Sequence, residues 1–349
     1  LFWSGGNQQE IEDNATRSTG LSSRWNIFRF FADYHQVRSQ SYDYQSKVFY
    51  EKLMFLVAQK ESLNLVLDYL SYEGQRKIKE NVLDSIHLSF LVAQKKYKQG
   101  KLSKTQLNKI KIEKLNRQND VNTLSAQAYE VLQKINALSG QDHKEVLWPI
   151  TDTALIKKTT TLIPKEVSIE KNLELLYYNY HYHRYEHNLT ATKLSWLGSV
   201  DLDLSRQKTL TQNQENWSSQ VVVTYSLPIF SKNQLASQTK KDVLQKSMAK
   251  RLRDQKRATI VNDLKSIKKK LVYNKNSFEF QKESYALSEQ IYKAEEKRFK
   301  RGLISVNDLI LEQQRQTNTQ ILSLNSKVAL IQSLIDYCHI QGSKISECL

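Results

Sequence analysis

Asp201 and Asp203 alternate with Leu202 and Leu204 in a run of period two, so both carboxylates stand on one strand face, about 7 Å apart. A carboxylate pair can do general acid–base work. On a wall of small polar residues the two are instead water-facing charges, and no nucleophile–base set, P-loop or dinucleotide fingerprint accompanies them. His183 and His187 are four apart and share a face if helical, a spacing that suits zinc or copper. No third ligand stands near them in sequence, which leaves a polar helix–helix interface. Cys338 and Cys348 are the only cysteines, too few for a disulfide scaffold or a four-thiolate zinc site. A local disulfide in an oxidising compartment stays open. These residues read as belonging neither to an enzyme nor to a cofactor or metal protein.

The elements that hold them must be long. In 349 residues there are only 9 Gly and 3 Pro, hence few turns. No stretch approaches ~18 uninterrupted apolar residues, which excludes a helical membrane span but not a membrane β-barrel, whose strands are short and half apolar. Net charge is +16, and residues 231–301 alone hold 20 Lys+Arg against 8 Asp+Glu. The plain reading is the solvated face of a long helix. A tunnel biased toward anionic cargo and nucleic-acid binding are the sharper alternatives. The opening residues, Leu1-Phe2-Trp3-Ser4-Gly5-Gly6, look like the interior of a strand, so the chain is expected to lack its natural beginning.

A repeat at an offset of 202 organises the chain. Ile27-Phe28 recurs as Ile229-Phe230. Tyr97-x-x-Gly100-x-x-Ser103-x-x-x-Leu107 recurs as Phe299-x-x-Gly302-x-x-Ser305-x-x-x-Leu309, and Gly140 recurs as Gly342. Each copy predicts a strand region, a helix of roughly 68 residues to about Lys98 or Lys300, a glycine turn, and a second helix ending at Gly140 or Gly342. At ~1.5 Å per residue the long helix needs a partner along its length, so each copy is an antiparallel coiled-coil hairpin. Ile321, Leu324, Val328, Ile331, Ile335 and Cys338 give the heptad seam. The turn glycines suit left-handed helix ends, and Ser103 and Ser305 suit N-caps. Pro149 and Pro164 bracket the linker, and Pro228 marks a strand-to-helix handover.

The strand signal is strongest at 194–205, where Leu194, Trp196, Gly198, Val200, Leu202 and Leu204 alternate with Ser195, Leu197, Ser199, Asp201, Asp203 and Ser205. After a polar loop (206–216), Trp217, Ser219, Val221, Val223, Tyr225, Leu227 and Ile229 oppose Ser218, Gln220, Val222, Thr224 and Ser226. Repeat one repeats this weakly, Leu21, Ser23, Trp25 and Ile27 alternating with Ser22, Arg24 and Asn26, with Leu1-Phe2-Trp3 as the remnant of a partner strand. The apolar face meets either a second sheet or lipid. Ser195, Ser199, Asp201, Asp203, Gln220 and Thr224 would then line a lumen. Four strands cannot close a wide barrel, so several chains would share one. The aromatic run Tyr177 to Tyr185 is expected at the inner membrane edge.

The two-fold repeat, the Leu227-Pro228-Ile229-Phe230 step and the paired tip signature together resemble the TolC-like outer-membrane efflux and secretion ducts, over about residues 1–342. The resemblance implies a mainly α fold with membrane β: helical hairpins, plus four strands given to a 12-stranded barrel shared by a homotrimer in the outer membrane. It also implies a helical tunnel in the periplasm and a passive exit duct of a tripartite efflux pump or type I secretion system. The partners would be a periplasmic adaptor and, through it, an inner-membrane pump, with no nucleic acid and no cofactor. By that likeness Tyr97, Gly100, Leu102, Ser103, Leu107, Phe299, Gly302, Ile304, Ser305 and Leu309 are the adaptor-docking tips, and Asp308 stands at the tunnel constriction. The expected division is a truncated first β-hairpin (1–29), first helical hairpin (30–140), linker (141–164), helix to the barrel (165–188), second β-hairpin (189–230), second helical hairpin (231–342) and tail (343–349). A helical hairpin that should precede the first strands is absent, Asn26 stands where the family prefers proline, and Leu311 stands where many relatives carry a second acid. A soluble coiled-coil scaffold or basic nucleic-acid binder is the competing reading; it leaves the Trp-flanked strand faces without a covering layer.

Overall fold

A computed structural model describes residues 17–146, 157, 159, 169–211, 214–229, 232–301 and 303–342. The proposed remnant strand Leu1-Phe2-Trp3, most of the linker with Pro149 and Pro164, Phe230, Gly302, Cys348 and the tail lie outside them. In chain order the elements are β1 (Arg17–Phe28), α1 (Ala32–Lys98), α2 (Lys104–Ser139), α3 (Leu173–Leu194), β2 (Ser199–Thr211), β3 (Gln214–Ser226), α4 (Lys232–Lys300) and α5 (Val306–Gln341). The two long helices run 67 and 69 residues, close to the ~68 that the repeat predicts. The chain divides into two compact units, one of Leu1–Glu51 with Leu173–Ala258, the other of Lys52–Asn172 with Thr259–Leu349.

The first unit carries an antiparallel sheet in the order β1-β2-β3. Its strands depart from the sequence expectation at both ends of β2. Residues 194–197 are not strand: α3 runs on to Leu194, and Ser195–Leu197 form a 3-10 turn. There the Ser195 hydroxyl donates to the Thr192 carbonyl (2.7 Å), so Ser195 is a helix-end residue and not a lumen residue. The apparent alternation continued across a helix end because Leu194, Trp196 and Gly198 happen to keep period two. Conversely, 206–216 is not a polar loop. β2 runs to Thr211 and β3 starts at Gln214. Arg206 to Thr211 are mostly polar, so the alternation faded although the ladder persists.

The run Tyr177 to Tyr185 is also placed differently. Tyr177 lies ~25 Å along α3 from its strand end at ~1.5 Å per residue. Its neighbours are α1 rings: Tyr180 stacks on Phe49 (5.1 Å), and Tyr177 lies 5.5 Å from Tyr50. Here the rings fill a helix–helix seam. The aromatics at the sheet's helical end are Phe28, Phe30, Phe31 and Tyr225, joined edge to face. Phe30 and Phe31 both have positive φ (48° and 64°), a strained way to turn from β1 into α1. Repeat two makes the corresponding handover with Pro228 instead.

The same seam holds the histidines. His35 Nδ1 and His187 Nδ1 are 2.9 Å apart, Tyr42 stacks on His187, and His183 Nδ1 contacts Glu186 at 3.2 Å. Glu186 also accepts from Lys246 of α4 (2.9 Å), which holds its carboxyl below the usual range. The polar helix interface expected for His183 and His187 is therefore present, and among the described residues no three His, Cys, Asp or Glu converge as metal ligands.

In the second unit Leu67 of α1, Leu271 and Phe278 of α4, and Leu330, Ile331, Leu334, Ile335 and Cys338 of α5 form one buried cluster, with Val328 packed against it. Four of the six heptad positions thus face that core, and burying such side chains is worth roughly 1.5–3 kcal/mol each. Cys338 is disulfide-bonded. Tyr69, Ala128, Val131 and Leu132 bury a smaller seam between α1 and α2. Lys60 and Lys270 both reach Asp336, and Lys79 reaches Asp120.

Two outcomes follow from the first unit. Gly198, where helix gives way to strand, has φ 82° and ψ −157°, a region open in practice to glycine alone, and an added Cβ would strike the Ser226 carbonyl. Gly198→Ala is expected to cost about 1–3 kcal/mol or more, read as a lowered thermal midpoint by circular dichroism. His187 is held below its ordinary pKa, first by burial and then by His35, with Glu186 opposing and His183 and Arg38 assisting. The folded chain therefore binds this proton less readily than the unfolded chain, so the contribution is complete above the unfolded pKa and is lost as pH falls toward the folded one. Acidification from pH 7.5 to 5.5 lowers the midpoint, and His187→Gln shrinks that drop; equal drops in both chains would remove His187 from the response.

Candidate functional site

The sheet has two faces of opposite character, set by the pleat. On one, Trp25 pairs with Leu202, Leu202 with Val223, Leu204 with Val221 and Val200 with Tyr225. Trp25, Val221, Val223 and Tyr225 are each more than half exposed, so no described layer covers this face. The register puts Ser199, Asp201, Asp203, Gln220 and Thr224 together on the other face, as the sequence suggests: Asp201 stands opposite Thr224, and Ser205 opposite Gln220.

Sequence reasoning missed the partners of the two carboxylates. β1 brings Arg24 opposite Asp203 and Asn26 opposite Asp201. Arg24 Nε donates to Asp203, and Asn26 Nδ2 donates to Asp201 Oδ1 (2.8 Å), which also accepts at Oδ2 from Ser199 (3.2 Å). The pair is thus bound and partly neutralised, which suits a solvated wall better than general acid–base chemistry. The signal was in the sequence, since Ser22, Arg24 and Asn26 form the polar half of β1. What it lacked was the strand against which β1 pairs. Asn26, in the position of the family's proline, is used as a side-chain donor.

The helical ends of the second unit are built by capping. Ser103 and Ser305 are N-caps, each closing a capping box with the residue three further on: Gln106 in repeat one, Asp308 in repeat two. Gly100 takes φ 72°, Gly140 67° and Gly342 70°, the left-handed helix ends expected. The Asp308 carboxylate accepts from the Ser305 amide (3.1 Å) and hydroxyl (2.7 Å), and these bonds hold its pKa below the usual range.

The two ends adjoin. Lys96 Nζ lies 5.5 Å over the Phe299 ring, and Gln314 donates to Glu113 at 3.1 Å. Between them is a groove of about 220 Å³ lined by Lys96, Lys101, Leu102, Phe299, Ile304 and Ser305, among others. Four of the ten expected tip residues, Leu102, Phe299, Ile304 and Ser305, thus share one groove. Leu309 is buried beneath the end, Leu107 is half-buried, and Tyr97 is exposed. Ser103 serves as a cap. Asp308 lines a separate, wider surface with Glu295, Glu312 and Arg315. No described helix is long and apolar enough to cross a membrane.

No protein-family model matches the chain, and no curated protein matches it in sequence. Solved structures do match it over most of their length. CusC, described for its folding and transmembrane channel formation, aligns with TM-score 0.82 at 12% identity, over 98% of this chain and 81% of its own. The Campylobacter jejuni CmeC outer membrane channel aligns with TM-score 0.75 at 10% identity, over 94% and 77%. The Neisseria gonorrhoeae MtrE outer membrane channel, in its open state, aligns with TM-score 0.73 at 10% identity, over 96% and 81%. With its two helical hairpins, capped ends and two-faced sheet, the chain has the fold of the TolC-like outer-membrane channels.

Proposed function

We propose that the chain is a protomer of a passive exit duct of a bacterial outer membrane, a homotrimer whose chains share a 12-stranded barrel and whose helices form a periplasmic tunnel. The single observation that carries this is the sheet: an uncovered apolar face backed by a polar face whose two carboxylates are hydrogen-bonded. In water the first face is an unexplained hydrophobic surface; in a bilayer it meets hydrocarbon while the second lines water. A soluble scaffold or nucleic-acid binder accounts for neither face. In this reading the duct does no chemistry: solute moves along a continuous aqueous path, and energy comes from a pump elsewhere.

Within this reading the groove between the helical ends is where a periplasmic adaptor docks, through Leu102, Phe299, Ile304 and Ser305, coupling the duct to an inner-membrane pump of an efflux or type I secretion system. Tyr97, Gly100, Ser103, Leu107, Gly302 and Leu309 belong to the same ends as shape and support. Asp308 stands at the constriction.

The reading predicts detergent-stable trimers that conduct in planar bilayers; a water-soluble monomer without conductance would overturn it. Arg24→Gln leaves Asp203 unpaired on the lumen wall and adds one negative charge per chain. The reversal potential in a salt gradient should therefore move toward greater cation selectivity, and an unchanged potential would place Arg24 outside the lumen. Asp308→Asn removes charge while keeping an acceptor for the cap, whereas Asp308→Ala removes both. Both should raise resting conductance; a rise in Asp308→Ala alone would assign the effect to the cap.

A further inference from the structure

The apolar face of the sheet changes character at its turn end. Along β2, Val200, Leu202 and Leu204 are followed on the same face by Arg206 and Lys208, opposite Ser219 and Trp217 of β3. Both cations gather on one ring: the Arg206 guanidinium carbon lies 4.7 Å and Lys208 Nζ 5.6 Å from the Trp217 centroid. Trp217 is 58% exposed. Lys208 also bonds Glu215 at 2.7 Å, and among the described residues no ion pair is found for Arg206. Two cations against one acid leave an excess positive charge on a face that is otherwise hydrocarbon.

Depth decides what this charge meets. From Tyr225 to Trp217 the strand covers ~26 Å at ~3.3 Å per residue, or ~20 Å along the normal once strands tilt by about 35–45°. That is a little short of the ~25 Å apolar band of outer-membrane barrels, with an aromatic ring near each boundary. Lys208, opposite Trp217, therefore stands at the level of headgroups, and Arg206, about 5 Å deeper along the normal, reaches toward it with its guanidinium stacked on Trp217. The turn end is the end of β2 and β3 away from α3 and α4, so if the helices are periplasmic, as the duct reading on which this inference rests requires, these headgroups belong to the outer leaflet.

We propose that Arg206 and Lys208, ordered by Trp217, form a lipid-facing site for the phosphate of an outer-leaflet lipid. A guanidinium fork takes two phosphate oxygens, and an ammonium adds a point charge. Stacking on Trp217 and the bond to Glu215 hold both cations in place before the lipid arrives, which reduces the ordering cost of binding. The acyl chains run down the same face along Leu204, Val221 and Val223. The occupant is a lipid and not free phosphate, because the cations sit on the continuation of the oily face.

The test uses the assembled chain in phosphatidylcholine vesicles, with diphosphoryl lipid A, phosphatidylglycerol or inorganic phosphate added, read by thermal midpoint, and by native mass spectrometry of lipid retained after extraction. Lipid A should raise the midpoint and be retained at least tenfold better by the unaltered chain than by Arg206→Gln/Lys208→Gln, with Arg206→Lys/Lys208→Arg keeping most retention. Inorganic phosphate should do nothing, and phosphatidylglycerol should do less. Equal retention by the Gln double variant, or an equal effect of inorganic phosphate or phosphatidylglycerol, overturns the site. Insertion and conductance without a lipid A effect defeat this inference alone; failure of the unaltered chain to insert defeats the duct reading and this inference with it.

Discussion

Hydrocarbon cannot hydrogen-bond, and under the proposed duct reading that constraint shapes the β-part of this chain. A backbone group left unpaired in lipid costs several kcal/mol, so strands cross a membrane only as a closed ring. Among the described residues the sheet is β1-β2-β3, with β1 and β3 outermost. A three-stranded ribbon with an exposed apolar face is poorly suited to water and, alone, equally unsuited to lipid. In the proposed trimer, closure by sister chains would resolve both difficulties together, because it would pair the outer strands and turn every polar face inward. Closure by partner strands is a requirement of backbone chemistry in lipid before it is a matter of side-chain contacts.

The polar face answers a second constraint. Asp201 and Asp203 on one strand repel each other, and three copies in a ring would multiply that repulsion. β1 counters it with a guanidinium on Asp203 and an amide on Asp201. The amide satisfies an acceptor without adding charge, so the wall keeps a net negative character at one level and is neutral at the next. Exposed pairs of this kind add little stability. Their effect is on the local potential over this face.

How much of this was legible in the sequence depended on whether the signal was local. Helix ends are local: Ser103 with Gln106, Ser305 with Asp308, and the glycines at 100, 140 and 342 fix caps within a few residues, and the 202-residue repeat located each twice. Strand pairing is not local. Ser22, Arg24 and Asn26 were visible as a polar row, but only tertiary register assigns them to Asp203 and Asp201. Period two also fails where polarity is the same on both faces, as at 206–211, and misleads where a helix end mimics it, as at 194–198. Composition alone points the Tyr177 to Tyr185 run to a membrane belt; packing against Phe49 and Tyr50 decides otherwise, since tyrosine serves a wet helix seam as well as a bilayer boundary.

The two capping boxes also bear on the role of Asp308. Repeat one closes its box with Gln106, an uncharged side chain, in the same geometry that repeat two achieves with Asp308. A negative charge is therefore not needed to make the cap. It does gain from the positive end of the α5 dipole, worth about 0.3–1 kcal/mol at an exposed terminus, but that gain is equally open to repeat one, which does without it. The ends are otherwise rich in cations, with Lys98, Lys101 and Lys104 in one repeat and Lys297, Arg298 and Arg301 in the other. An acid among them in only one of two otherwise matching boxes is therefore not explained by the helix it starts. The local structure fixes where the carboxylate points and favours its ionised form.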